Sequence, residues 1–188
     1  KGRQIDWWRE TADGSTDAVP LVLLHAFPYS SRMWAPQTEL RERGLDVFAY
    51  DLYGFGRSAA SSDPTEYSIG LLVDDLHRFL VEVVGRPAII CGLSLGGYVT
   101  LRAALKDATG MLGLILADTG AGSDDSEPFQ AEVEEWASVY ETLGVEHFLD
   151  KLLLDPLFGD SRTLGPDVFN AMMTVIRENP EAGVVNTA

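Results

Sequence analysis

The chain has 188 residues, 46% of them hydrophobic, which suits one globular domain with a substantial core and room for an inserted subdomain. A net charge of −15 argues against nucleic acid or an anionic membrane surface as a partner, because both would repel it. The single cysteine, Cys91, allows no internal disulfide and fits a cytoplasmic protein, and no apolar run approaches the roughly 18 residues of a membrane span.

In chain order, residues 4–10 contain Ile5, Trp7 and Trp8 and read as a strand, followed by a polar loop over 11–18. Residues 20–24 are a short continuous apolar run of the kind buried on both faces of a parallel sheet. Residues 33–43 read as a short helix ended by Gly44, and Leu45–Tyr50 as the next strand, closed by a Gly-rich stretch over 51–58. Ser68 is a suitable N-cap, with Tyr67 placed to staple onto Leu72. Leu72, Leu76, Phe79, Leu80 and Val83 keep helical spacing on one face until Gly85 and Pro87 stop the helix. Residues 87–91 read as a strand, 97–106 as an Ala-rich helix, and Met111–Ala117 as a further strand ending at Asp118.

This alternation predicts an α/β fold with a mostly parallel, doubly wound sheet. It stops near residue 120, and only helical patterns follow. Pro128 suits a first helical turn, and Phe129, Val133, Trp136, Tyr140 and Leu143 form one stripe up to Gly144. Residues 146–154 and 166–178 read as two more helices. The expected division is a core over residues 1–120 and a helical cap over 121–188 that covers one end of the sheet.

The chemistry concentrates at strand ends. Gly92-Leu93-Ser94-Leu95-Gly96 lies between a strand and a helix. A serine hydroxyl is a weak nucleophile until a base takes its proton, and a tight strand-to-helix turn presents it to that base. Side chains at Gly92 and Gly96 would collide with neighbouring backbone, and the helix that follows favours developing negative charge at its N-terminus. At average usage, a chance G-x-S-x-G in a chain of this length has a probability of roughly 5%. His25-Ala26-Phe27-Pro28 directly follows the second strand, and Asp51-Leu52-Tyr53-Gly54-Phe55-Gly56-Arg57-Ser58 directly follows the third.

These three motifs, in this order and at this spacing, resemble those of the α/β-hydrolase superfamily, in particular its esterase, enol-lactonase and haloperoxidase-like members. The resemblance covers residues 2–120 well, and the helical segment resembles the family's cap in position and composition only. It implies Ser94 as the nucleophile, with the backbone amides of Leu95 and Phe27 as the oxyanion hole. Ala26 stands where the family usually has Gly, which forbids easy access to positive φ at that position. The resemblance gives His25 the task of supporting the oxyanion loop and not that of the catalytic base. His77 reads as a surface or boundary residue of its helix, and His147 could at most touch substrate from the cap.

Family members continue for roughly another 80–100 residues that carry two more strands, an acid and the catalytic His. The chain is therefore expected to be part of a longer protein, with the His beyond residue 188 in a further segment or a second chain, and with residues preceding Lys1. Asp118 has two readings, the triad acid at an earlier strand end, as in haloalkane dehalogenases, or a polar cap of the strand. A dehalogenase or epoxide hydrolase is disfavoured because their nucleophile is Asp. Asp51 reads as structural, Arg57 as a partner for it or a nearby carboxylate, and Cys91 as an apolar filler. Trp34 and Trp136 are candidate substrate contacts, and Tyr140, Phe148, Met172 and Met173 could join Trp136 in an apolar pocket. Packing is the competing role for each. No metal-ligand spacing and no cofactor fingerprint is found, and the family needs no cofactor.

Residues 122–160 hold eleven Asp or Glu and one Lys, a poor entrance for a dianion. The sequence thus points to a hydrolase of a small neutral ester or lactone. The alternatives on the same scaffold are a perhydrolase or haloperoxidase, a C–C bond hydrolase, and an inactive ligand-binding protein.

Overall fold

The computed structural model describes residues 3–12, 17–122 and 127–187. Part of the loop expected at 11–18, and the side chain of Phe129, lie outside the described residues. Among the described residues five strands form one sheet, in the order β1-β3-β2-β4-β5. They are β1 (Trp7–Glu10), β2 (Val19–Leu24), β3 (Leu45–Tyr50), β4 (Ala88–Leu93) and β5 (Met111–Ala117). β1 runs antiparallel to β3, and every other pairing is parallel. The first strand is shorter than the sequence suggests. Its leading residues pair with the loop after β3 instead: Ala59 donates to the Gln4 carbonyl at 3.0 Å and Asp51 to that of Asp6 at 2.9 Å.

Strand alternation sorts the core into two layers. Leu21, Leu23, Val47 and Ala49 form one cluster with Trp8, Trp34 and Leu40. Val22, Leu24, Phe48, Tyr50 and Ile90 join the other cluster, with Leu72, Leu76, Phe79, Val99 and Ala103. Helices thus cover both faces of the sheet, as continuous apolar strands require. The first face carries a 3-10 helix over Ser31–Arg43 in place of the expected α-helix. Pro36 lies inside it and lacks the amide that an i→i−4 ladder needs. Gly44 ends it in the left-handed conformation, donating to Arg41.

The second face carries α1 (Ile69–Phe79) and α2 (Leu95–Lys106). Ser68 caps α1 as expected, its hydroxyl accepting from the Leu71 amide at 3.2 Å. Tyr67, packed against the cluster that includes Leu72, has its hydroxyl on Ser61 and its ring against Tyr53. A π turn over Leu80–Val84 follows α1, closed by the Gly85 amide on the Leu80 carbonyl. The wider turn shifts the buried stripe by one residue, so Val84 is buried and Val83 only half-buried.

The helical segment comprises α3 (Glu127–Leu143), α4 (Val145–Leu152), α5 (Pro156–Gly159), a 3-10 turn over Asp160–Leu164, α6 (Pro166–Arg177) and α7 (Glu181–Thr187). Trp136, Tyr140, Phe148, Met173 and Ile176 are buried in the same cluster as the second sheet face. Leu143, assigned to the α3 stripe by spacing, is exposed where the chain turns at Gly144. At the other sheet edge, β5 exposes Leu112, Leu114, Ile115 and Leu116. Among the described residues no helix is long and apolar enough to cross a membrane.

Candidate active site

The chain order of the sheet locates the site before any side chain is considered. After β2 the chain crosses to β3 on one side, and after β4 it crosses to β5 on the other. β2 and β4 are neighbours, paired from Leu21↔Ile89 to Leu24↔Gly92. Their outgoing loops diverge, which opens a crevice at the carboxyl ends of the two strands. The loop leaving β2 is His25–Pro28 and the turn leaving β4 holds Ser94.

Ser94 has φ 51° and ψ −115°, a conformation rarely taken by a residue with a side chain. Its amide donates to the Ala117 carbonyl at 3.0 Å, and its carbonyl accepts from Tyr98 at 2.9 Å. The side chain is exposed beyond the strand end. The glycines make this turn possible. A Cβ on Gly92 would lie 2.2 Å from the Gly96 carbonyl oxygen, and one on Gly96 would lie 2.4 Å from that of Leu24. The first turn of α2 therefore sits directly against the start of the 25–28 loop.

That loop is held from within. His25 is fully buried, and its Nε2 accepts from the Leu52 amide at 2.9 Å. Its Nδ1 must then carry the proton, which it donates to the Ala26 carbonyl at 3.0 Å. Burial holds the imidazole's pKa below its ordinary value, although the Ala26 hydrogen bond and Asp51 pull the other way. A neutral ring with both nitrogens engaged is a support and has no capacity left to act as a base. Ala26 does not take positive φ, so its methyl causes no backbone strain, and its amide donates to the Met33 sulfur at 3.4 Å. Tyr29, buried behind the loop, has its phenol pKa pushed up to about 12 by that burial. Asp51 is also structural in its contacts: one carboxylate oxygen accepts from the Ser31 amide at 2.7 Å and the other from the Arg57 amide at 2.8 Å. Arg57 thus meets Asp51 through its backbone.

Among the described residues, the amides of Phe27 and Leu95 have no backbone acceptor. Leu95 opens α2, where the first amides have no intrahelical partner and the helix dipole favours negative charge. The Phe27 ring packs edge-on against Phe55, with centroids 6.0 Å apart. Asp118 lies next to the turn, because Leu93 and Ala117 are paired at the ends of β4 and β5. It is exposed, with φ 42°, and shares positive φ with Ser94 alone among the described non-glycine residues.

Trp34 packs with the cluster of the opposite sheet face, and packing accounts for its position. Trp136 is buried against Phe158, with centroids 6.1 Å apart and an interplanar angle of 80°, and Tyr140 packs against Phe148. These contacts hold the helical segment together. His77 meets the Asp107 carbonyl and His147 that of Leu143. Among the described residues no cluster of three His, Cys, Asp or Glu side chains is arranged to hold a metal.

Three contributors escape sequence reasoning. Thr119 donates from its hydroxyl to the Ser94 carbonyl at 2.8 Å, and its methyl occupies the space beside Gly97. Met33 satisfies the Ala26 amide. Asn179 reaches the 25–28 loop at the Pro28 carbonyl from a position 151 residues away. Only Thr119, directly after a strand end, sits where a sequence signal could have been sought.

The sequence model of the alpha/beta hydrolase family matches residues 21–182, which takes in all three motifs and most of the helical segment. The chain belongs to the alpha/beta hydrolase family. Among curated hydrolase relatives, it is 33% identical over 99 residues to a proline iminopeptidase of Saccharolobus solfataricus, covering 52% of this chain and 32% of that protein. It is 26% identical to a pimeloyl-acyl-carrier-protein methyl ester esterase of Cronobacter sakazakii, covering 91% of this chain and 70% of that one. The enol-lactonase of Burkholderia xenovorans has the same fold, with a TM-score of 0.81 at 23% identity, covering 97% of this chain and 67% of that one. A carboxylesterase structure from Nitrososphaera superposes with a TM-score of 0.82 at 21% identity, covering 97% and 65%. This hydrolase-family chain thus spans about a third of the first curated relative and about two thirds of the solved structures.

Proposed function

We propose that the protein is a serine hydrolase acting on a small neutral carboxylic ester or lactone. The observation that carries this reading is Ser94, exposed at positive φ on the strand-to-helix turn, with the Phe27 and Leu95 amides lacking a backbone acceptor among the described residues. The Ser94 hydroxyl attacks the carbonyl carbon while a histidine takes its proton. The Phe27 and Leu95 amides hold the resulting oxyanion, each worth about 2.7–4 kcal/mol to the transition state. The alcohol leaves with that proton, or, for a lactone, stays tethered to the acyl group as a free hydroxyl, and water then hydrolyses the acyl-enzyme.

All three histidines of residues 1–188 are held by backbone carbonyls. The base therefore comes from a further segment or a second chain. The exposed apolar residues on both faces of the edge strand β5 support this assignment, since helices that accompany further strands would cover them. Asp118 is the candidate acid within residues 1–188, and residues 121–188 act as the lid over the crevice. The acidic helical segment favours a neutral substrate over an anionic one. Esterase and lactonase activities carried by similar proteins agree with this class.

The test is hydrolysis of p-nitrophenyl acetate by the full natural chain and by its Ser94→Ala variant. Turnover by the natural chain and its loss in the variant support the reading. Equal turnover by both overturns it.

A further inference from the structure

The far end of the helical segment returns to the crevice and grips two loops at once. Asn179, between α6 and α7, is buried. Its Nδ2 donates to the Pro28 carbonyl at 2.7 Å, and its Oδ1 accepts from the Gly56 amide at 2.7 Å. The chemistry fixes this orientation, because a carbonyl needs a donor and an amide needs an acceptor. Beside it, Glu178 pairs with Arg32. One helical turn on, Gly183 rests on Gly54 backbone to backbone, and a Cβ there would lie 1.6 Å from the Gly54 carbonyl oxygen. Pro28 directly follows Phe27, whose amide is the oxyanion donor on this loop. His25 and Met33 hold the front of the loop from within the core. Among the described residues, Asn179 is the one polar side chain of the helical segment that holds its rear.

We propose that Asn179 is a positioning residue for the oxyanion hole, linking the Phe27 amide to the seating of the helical segment. The inference rests on the serine-hydrolase reading above. Asn179 touches no reacting atom. It fixes the Pro28 carbonyl, two peptide planes beyond the Phe27 amide, and so anchors the far end of the short loop that carries that amide. The loop is then aligned for the oxyanion only while the 178–183 stretch is docked.

The test compares Asn179→Asp, Asn179→Ala and Ser94→Ala in the full natural chain, each checked for a cooperative melt. Asn179→Asp keeps an acceptor for the Gly56 amide but sets a carboxylate oxygen against the Pro28 carbonyl. It is the variant that answers if Asn179→Ala does not fold. The readouts are kcat and KM on p-nitrophenyl acetate, and inhibition by an aryl trifluoromethyl ketone and by its unreactive alcohol. The ketone forms a tetrahedral adduct with a serine and needs the oxyanion hole, and the alcohol does not.

The expected result is a fall in kcat of about 10- to 100-fold with KM within about twofold. Ketone affinity should fall in parallel while alcohol affinity holds. Arg32→Ala removes the neighbouring exposed ion pair and should leave kcat unchanged. Wild-type kcat and ketone affinity in folded Asn179→Asp, with Ser94→Ala inactive, overturn this inference alone. Full activity of Ser94→Ala overturns the serine-hydrolase reading on which it rests.

Discussion

Gly96→Ala puts a methyl group where backbone already is. The added Cβ would lie 2.4 Å from the Leu24 carbonyl oxygen and 2.7 Å from that of His25. Both atoms are backbone at the end of a central strand and cannot swing aside as a side-chain tip would. To restore ordinary van der Waals contact, the first turn of α2 and the start of the oxyanion loop must separate by about 1 Å. That separation moves the Leu95 amide away from the Phe27 amide, so the cost falls on the transition state as well as on the fold. A displacement of this size costs on the order of 100-fold in turnover. Overpacking by one methyl costs about 1–3 kcal/mol, which in a chain of this length lowers Tm by about 2–4 °C per kcal/mol. The assays are p-nitrophenyl acetate hydrolysis, the rate of fluorophosphonate labelling, and a thermal melt. A Gly96→Ala protein with the natural labelling rate and the natural Tm would refute the close approach of α2 to the loop and the role built on it.

Gly70→Ala is the opposite case: the new Cβ on α1 would meet only the Ser68 hydroxyl, at 3.9 Å, so a gain of about 0.5–1 kcal/mol in denaturant titration is expected, with no change in activity. A second expectation concerns acid. Burial holds the His25 pKa in the fold below the ordinary 6.5, so below about pH 6.5 the unfolded chain binds a proton that the folded chain refuses. The contribution of His25 is therefore complete above pH 6.5 and is lost as pH falls, by up to about 1.4 kcal/mol per pH unit. The stability difference between the natural chain and His25→Gln should shrink between pH 7 and pH 5, and a difference that holds constant over this range would contradict a buried neutral imidazole.

The features legible in the sequence are those with local causes. A continuous apolar run marks β2 because a strand covered on both faces has no polar side to display. The Ser94 turn is legible because the glycine at 92 answers a steric demand made within five residues, while that at 96 answers the backbone of Leu24 and His25. The same locality explains Ser68 and Gly44, whose tasks concern the nearest turn of helix. The π turn after Phe79 leaves no such mark: inserting one residue into a helical turn changes which valine is buried without changing the residue types involved. Pro36 did carry a signal for the 3-10 winding of residues 31–43, one that helical spacing alone passes over.

In the site, the core motifs name Phe27, Ser94 and Leu95, but the means of holding them come from afar. Met33 takes the Ala26 amide, Thr119 the Ser94 carbonyl and Asn179 the Pro28 carbonyl. Thr119 and Asn179 are ordinary residues whose purpose exists only once distant segments meet, while Met33 lies seven residues from its partner. Trp34 and Trp136 show the reverse. Their size marked them as candidate pocket residues, and the structure places both among packed apolar side chains.

The central claim is that Ser94 is a prepared nucleophile. It is tested most directly by treating the full natural chain with a fluorophosphonate and mapping the adduct by peptide mass spectrometry. One stoichiometric adduct on Ser94, absent from the Ser94→Ala protein, is the predicted result. An unmodified Ser94, or an adduct that forms on another residue and survives Ser94→Ala, would contradict it.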